Sequence, residues 1–198
     1  ALAALPGAGA EVRERAELLF PLVEGGSLED ALQRFRPRGP FFSERQALLL
    51  GRGVASALSR MHGDATATAH RDVKPHNVLL GRPAAGASGP TPGEVTSWRA
   101  LDPTPVLTDF GSATDARLAA PDRAAAARIE EDAARNSSMP YRAPELWRVE
   151  QAVGVTEKTD LFGLGATLFA AVFGYSPFEV RWGDDGRPIV AEVTHLRI

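Results

Sequence analysis

Between His70 and Asn77 the sequence His-Arg-Asp-Val-Lys-Pro-His-Asn sets a carboxylate (Asp72), an ammonium (Lys74) and an amide (Asn77) in one short segment. A second carboxylate follows in Asp109-Phe110-Gly111, and Ala143-Pro144-Glu145 lies further on. A carboxylate can accept a hydrogen bond from a hydroxyl and aim it at an electrophile. A lysine two residues away can neutralise negative charge as it develops. Carboxylate and amide oxygens are the hard ligands that magnesium prefers. Together these groups suit phosphoryl transfer, which asks a protein mainly for positioning and charge neutralisation. Each short match alone is weak, because Asp-Phe-Gly arises by chance in many chains and then marks a turn. All three in this order, with strand-like residues before Asp109, are a strong signal.

Such groups need elements to hold them. Ala16 to Val23 is an apolar run broken by Pro21, readable as a short strand entering a linker. Ser27 with Asp30 resembles an N-cap over a short helix through Phe35. Ser43 with Gln46 makes a capping box, and Ala47, Leu50, Val54, Ala57, Leu58 and Met61 recur at helical spacing up to His62. Val78 to Leu80 and Val106 to Thr108 read as short buried strands. Between them Arg82 to Pro105, rich in Pro, Gly, Ala and Ser, reads as a mobile surface insertion. Asp122 caps an alanine-rich helix ending near Asn136, and the nearly all-apolar Thr159 to Phe173 reads as a buried helix.

Bulk properties agree with one globular domain. The chain has 198 residues, 44% hydrophobic and 24% charged, enough to bury a real core. A net charge of −3 gives no reason to expect a nucleic-acid partner. There are no cysteines, which excludes disulfides and agrees with a reducing, cytoplasmic setting. No apolar stretch approaches the roughly 20 residues of a membrane span. The first residue, Ala1, suggests that residues precede it in the parent protein.

On these motifs the chain resembles the eukaryotic-type serine/threonine protein kinases, from the hinge to just past the long central helix. The resemblance implies an α+β, protein-kinase-like fold: a mainly helical C-terminal lobe with a small β-hairpin, and an N-lobe largely absent. It divides the chain into an N-terminal remnant, 1–15, and a partial kinase domain, 16–198, with a flexible insertion at 82–105. ATP and Mg2+ are the implied cofactors, and Ser/Thr-bearing proteins the implied substrates. Asp72 would orient the substrate hydroxyl and Lys74 would neutralise the γ-phosphate, while Asn77 and Asp109 would bind magnesium. Phe20 falls at the gatekeeper, Pro21 and Val23 offer hinge contacts to adenine, and Leu79 would lie under the ring. Gly111 would permit backbone angles closed to other residues. His70 takes a packing role, and Asp160 would hold the catalytic-loop backbone. Ser137 and Ser138 lie in the activation segment; the Ser138 hydroxyl would bond Asp72 and Lys74. Arg71 would supply a basic pocket for an activation-segment phosphate, its bland reading being a structural ion pair.

Tyr141-Arg142-Ala143-Pro144-Glu145-Leu146, a helix before it, and Leu164-Gly165-Ala166-Thr167-Leu168-Phe169-Ala170 resemble the numb-associated kinase group. Within it, the likeness to the lipid-modified, membrane-peripheral branch implies peripheral membrane association of the full-length protein. The family's glycine-rich loop, strand lysine and helix glutamate are not found before Ala16. The arginine that pairs with the glutamate of Ala-Pro-Glu lies further on in the family, so Glu145 is expected to lack its partner. The parent would then be catalytic and this chain alone inactive. Two rivals remain: a pseudokinase scaffold, which the retained Asp72, Lys74, Asn77 and Asp109 disfavour, and a small-molecule phosphotransferase, which Ala-Pro-Glu disfavours.

Overall fold

The computed structural model describes residues 19–20, 22–23, 25–35, 42–63, 67–81 and 104–178. Pro21, residues 1–15, residues 82–103 and residues 179–198 lie outside the described residues. The last two residues of the insertion expected over 82–105, Thr104 and Pro105, are instead strand residues, paired in register with Gly81 and Leu80. Of the strand expected over 16–23, only residues 19, 20, 22 and 23 are described, and they have no regular structure.

Helix α1 (Leu28–Phe35) begins where Ser27 and Asp30 exchange bonds: the Ser27 N–H donates to Asp30 Oδ2 at 2.8 Å, and the Asp30 N–H to Ser27 Oγ at 3.1 Å. Helix α2 (Glu44–Gly63) starts the same way, with the Ser43 N–H on Gln46 Oε1 at 3.0 Å and the Gln46 N–H on Ser43 Oγ at 3.3 Å. Its buried stripe is Gln46, Leu50, Val54 and Leu58. The two glycines inside α2 mark close approaches: a Cβ at Gly51 would meet Leu168 Cδ1 at 3.1 Å, and one at Gly53 would overlap the Pro105 ring.

Strands β2 (Val78–Gly81) and β3 (Thr104–Leu107) form the antiparallel hairpin, with Val78 opposite Leu107 and Gly81 opposite Thr104. A second, unexpected pair joins β1 (Thr68–Ala69) to β4 (Thr114–Asp115). Helix α3 (Arg123–Asn136) is capped by Asp122, whose carboxylate accepts the Ala125 N–H at 2.7 Å. Helix α4 (Lys158–Phe173) ends at Gly174, whose φ of 84° and N–H bond to the Ala170 carbonyl make a left-handed cap.

The aliphatic core gathers α1, α2, the hairpin and α4 around Leu28, Leu50, Val54, Leu58, Val78, Leu80 and Leu164. A smaller core joins α3 to the segment after it through Ala120, Ala126, Ala133, Ala143, Leu146, Val149 and Val155. Helix α4 is less enclosed than its composition suggests. Thr159, Asp160, Gly163, Thr167 and Ala170 are buried, but Leu161 and Phe173 are exposed among the described residues. Among the described residues no helix is long and apolar enough to cross a membrane.

Candidate active site

Asp160, in the first turn of α4, builds the site from below. Its Oδ2 accepts the His70 N–H at 2.7 Å and its Oδ1 the Arg71 N–H at 2.8 Å, while His62 Nε2 at the end of α2 lies 2.8 Å from Oδ2. A buried carboxylate ringed by donors is stable only while they stay in place, so the loop that follows is fixed at its root. Glycine at 163 lets α4 come this close, since a Cβ there would sit 2.8 Å from the Val73 carbonyl oxygen. Asp160 is not the helix N-cap; Glu157 occupies that position without a side-chain cap bond.

Asp72 is buried, with each carboxylate oxygen engaged. Lys74 Nζ donates to Oδ2 at 2.6 Å and Asn77 Nδ2 reaches the same oxygen at 3.2 Å. The Ser138 N–H donates to Oδ1 at 2.9 Å. Lys74 Nζ also donates to Ser138 Oγ at 2.7 Å, so Ser138 holds the aspartate through its backbone and the lysine through its hydroxyl. Asn77 Nδ2 makes a further bond to the Asp72 carbonyl at 2.9 Å, which leaves Oδ1 as the group free to ligate.

The second loop is stitched to the first. The Thr108 N–H donates to the Asn77 carbonyl at 2.9 Å, and His70 Nε2 lies 3.0 Å from the Thr108 carbonyl oxygen. The His70 ring also packs against Phe110 with centroids 5.4 Å apart, in the packing role expected of it. Asp109, next in line, has φ 64°, a left-handed conformation that costs a non-glycine residue about 1 kcal/mol or more. Gly111 is not in that region, so its conformational freedom is not what the turn uses. A Cβ there would instead crowd Asp109 Oδ1 at 3.2 Å, the atom to which the Gly111 N–H donates at 3.3 Å. The glycine gives the carboxylate a few tenths of an ångström more room.

Arg71 departs from its expected role. Nε donates to Thr114 Oγ1 at 3.2 Å, Nη1 to the Thr156 carbonyl and Thr159 Oγ1 at 2.8 Å each, and Nη2 to the Asp115 and Ala116 carbonyls at 2.8 and 3.0 Å. A guanidinium has five N–H donors, and here all are engaged, leaving no open edge for a phosphate. Burial pushes its pKa down, with the Asp160 charge acting in the opposite sense. Arg71 is a structural hub tying the catalytic loop to β4 and the start of α4.

Ser137 caps α3, its hydroxyl donating to the Ala133 carbonyl at 2.7 Å and accepting from Arg142 Nε at 2.8 Å. Burial likewise pushes the Arg142 guanidinium down, partly offset by the Asp72 charge. The Glu145 carboxylate acts on the Arg71 guanidinium through its charge, opposing the effect of burial.

The structure thus brings Asp72, Lys74, Asn77, Ser138, Arg71 and Ser137 together, with Asp109 next to them in sequence from Thr108. The candidates for the adenine side are looser. Phe20 is 79% exposed and Pro21 lies outside the described residues, whereas a Cβ on Gly81 would meet Val23 Cγ1 at 3.9 Å and Leu79 bridges to Ser27. His62, Thr156 and Thr159 were not anticipated as supports, because their spacing from the loop carries no local signal.

The site suits magnesium held by few protein ligands. Among the described residues no group of three or more His, Cys, Asp or Glu side chains could hold a metal by itself. An Asn77 oxygen and an exposed Asp109 carboxylate fit a cation that keeps most of its coordination for phosphates and waters.

The protein kinase domain family matches residues 10–195. Serine/threonine-protein kinase 16 of Mus musculus is 32% identical over 168 residues, covering 85% of this chain and 48% of that protein. The Homo sapiens protein of the same name gives the same figures, 32% over 168 residues, 85% and 48%. Serine/threonine-protein kinase ppk13 of Schizosaccharomyces pombe is 27% identical over 174 residues, covering 82% of this chain and 51% of its own length. The chain spans about half the length of the curated relatives it matches. With the motifs gathered at one site and a match running nearly end to end, the chain belongs to the protein kinase domain family.

Proposed function

We propose that the protein carrying this chain is a serine/threonine kinase that transfers the γ-phosphate of magnesium–ATP to Ser or Thr hydroxyls of protein substrates. The observation that carries the reading is Asp72, whose carboxylate is held by Lys74, Asn77 and the Ser138 N–H beside the Asp109 loop. So held, it can accept the proton-bearing hydroxyl of a substrate and orient it in line. Lys74 sits where it can turn toward a phosphoryl oxygen, its charge shared between Asp72 and Ser138. Asn77 and Asp109 would hold magnesium, which supplies neutralisation of the phosphate charge. Phe20, Pro21, Val23 and Leu79 would line the adenine side.

The helical α3 between Asp109 and Ala143-Pro144-Glu145 supports placement in the numb-associated group, as does the likeness to the serine/threonine-protein kinases 16. Peripheral membrane association of the parent belongs to that same placement. We read the chain as the hinge and C-lobe part of the catalytic domain, which by itself lacks half of the phosphate clamp.

Activity with magnesium–ATP and a generic protein substrate, assayed on the parent protein and on the 198-residue chain, tests this. The parent should be active and the chain alone inactive. In the parent, Asp109→Asn and Asp72→Asn should each lower transfer by about 100-fold or more, with melting temperatures little changed. A folded but inactive parent would turn the reading to a scaffold.

A further inference from the structure

We propose that Ser112 is a positioning residue for the metal loop, holding it through the C-terminal end of α3; the inference rests on the kinase reading of Asp109. The last turn of a helix leaves carbonyls without intrahelical partners. The carbonyl of Asn136, the final residue of α3, is taken by the Ser112 hydroxyl, with Oγ and O 2.5 Å apart. Ser112 closes the short turn Phe110–Ser112 that starts at Asp109.

The turn is also held by the Ala113 N–H on the Phe110 carbonyl at 3.0 Å and by the His70 ring packed against Phe110. Asp109 is in the left-handed region, and its own contact within the loop is the long 3.3 Å bond from the Gly111 N–H. Upstream the anchors are the Thr108 N–H on the Asn77 carbonyl and His70 Nε2 beside the Thr108 carbonyl. Downstream Ser112 comes first, ahead of the Arg71 bond to Thr114 Oγ1 and the β1–β4 pairing. The strain lies in the backbone of Asp109, and such a conformation persists only while its surroundings hold it.

The same helix end also sets the catalytic side. Ser137 caps α3, and Ser138 after it binds Asp72 through its N–H and Lys74 through its hydroxyl. The end of α3 therefore gives the metal-binding and hydroxyl-orienting loops a second link, beside the direct one from the Thr108 N–H to the Asn77 carbonyl. The cavity at this junction, lined by Arg71, Ser112, Asp132, Asn136 and Ser137 among others, measures about 10 Å³. That is room for at most about one water, so the junction has little slack. Ser112 acts through Asp109.

The test uses the parent protein with Ser112→Ala, Ser112→Thr and Asn136→Ala. Magnesium-dependent binding of ATP is titrated, and amide hydrogen exchange of residues 109–113 is followed beside it. Ser112→Ala should raise the magnesium concentration for half-maximal binding by about 3- to 10-fold, the scale of one net hydrogen bond. It should speed exchange at 109–113 while leaving α4 amides and the melting temperature near the parent's. Ser112→Thr keeps a hydroxyl and should restore both readouts. Asn136→Ala keeps the carbonyl and should leave magnesium dependence within about twofold. The proposal is overturned if Ser112→Ala changes neither magnesium dependence nor exchange at 109–113, or if Ser112→Thr behaves like it. A parent that binds no magnesium–ATP sinks the kinase reading instead, and the exchange data still decide whether Ser112 holds the loop.

Discussion

Around Leu50 and Leu58 the chain packs large aliphatic side chains from α1, α2, α4 and the hairpin, whereas around Ala126 and Ala133 the activation-segment side packs mostly alanine. Each buried CH2 contributes about 0.8 kcal/mol, so the second core draws far less from apolar burial. Polar contacts accompany it. Arg123 forks Glu130 through Nη1 and Nη2 at 2.8 Å each, and Glu130 Oε1 also accepts the Val149 N–H at 2.9 Å. Arg142 bonds Ser137 and lies 4.3 Å over the Trp147 ring. One side of the site thus rests on a scaffold set by volume. The other rests on a segment set by charge, which conditions can loosen without unfolding the scaffold.

Asp160→Ala should give the largest effect, because it crosses the comparison: a polar hub inside the volume-packed side. It leaves the His70 and Arg71 amides and the His62 ring without their acceptor. A loss of about 3–5 kcal/mol is expected by denaturant unfolding. A loss below about 1 kcal/mol would show that packing alone carries this half.

A smaller effect separates the halves by pH. The hydrogen bond from Arg123 holds the Glu130 carboxyl below the usual glutamate range, despite the opposing effect of burial. Because its folded value is depressed, its stabilisation is present above the ordinary glutamate value and fades as pH falls through the lowered one. Hydrogen exchange in mild acid should open α3 before α4, and Glu130→Gln should remove the difference. The magnitude should stay near or below about 1 kcal/mol, since the pair is partly solvated.

The smallest change is expected from Thr167→Val in α4, whose Oγ1 is buried without a hydrogen-bond partner among the described residues. Thermal unfolding should show it neutral or stabilised by up to about 1 kcal/mol. Clear destabilisation would mean that this hydroxyl belongs to the polar supports after all.

Much of this was legible in local pattern. The Ser27–Asp30 and Ser43–Gln46 boxes, the Asp122 cap and the span of α4 all lie within a few residues of their own signals. What could not be read is long-range. Thr68–Ala69 and Thr114–Asp115 are too short to carry a period, and Arg71 ties the region where they pair to the start of α4. Nothing in the spacing of Arg71 told that five oxygens from distant segments would saturate it. Asp109, not its neighbouring glycine, took the left-handed conformation because the turn is anchored on both sides.

The seat of Pro105 on Gly53 bears on how far the protein can vary in length. The hairpin pairs Gly81 with Thr104, and the proline ring locks β3 onto α2 where any side chain at 53 would collide. Both ends of the connection over 82–103 are thereby held by the pairing and by the seat of Pro105. For such a connection each doubling in length costs only about 0.6 kcal/mol of closure entropy. Insertions and deletions there should leave the register of Asn77 and Asp109 untouched, so the distance along the chain between the two motifs is free to drift while the distance in space is not.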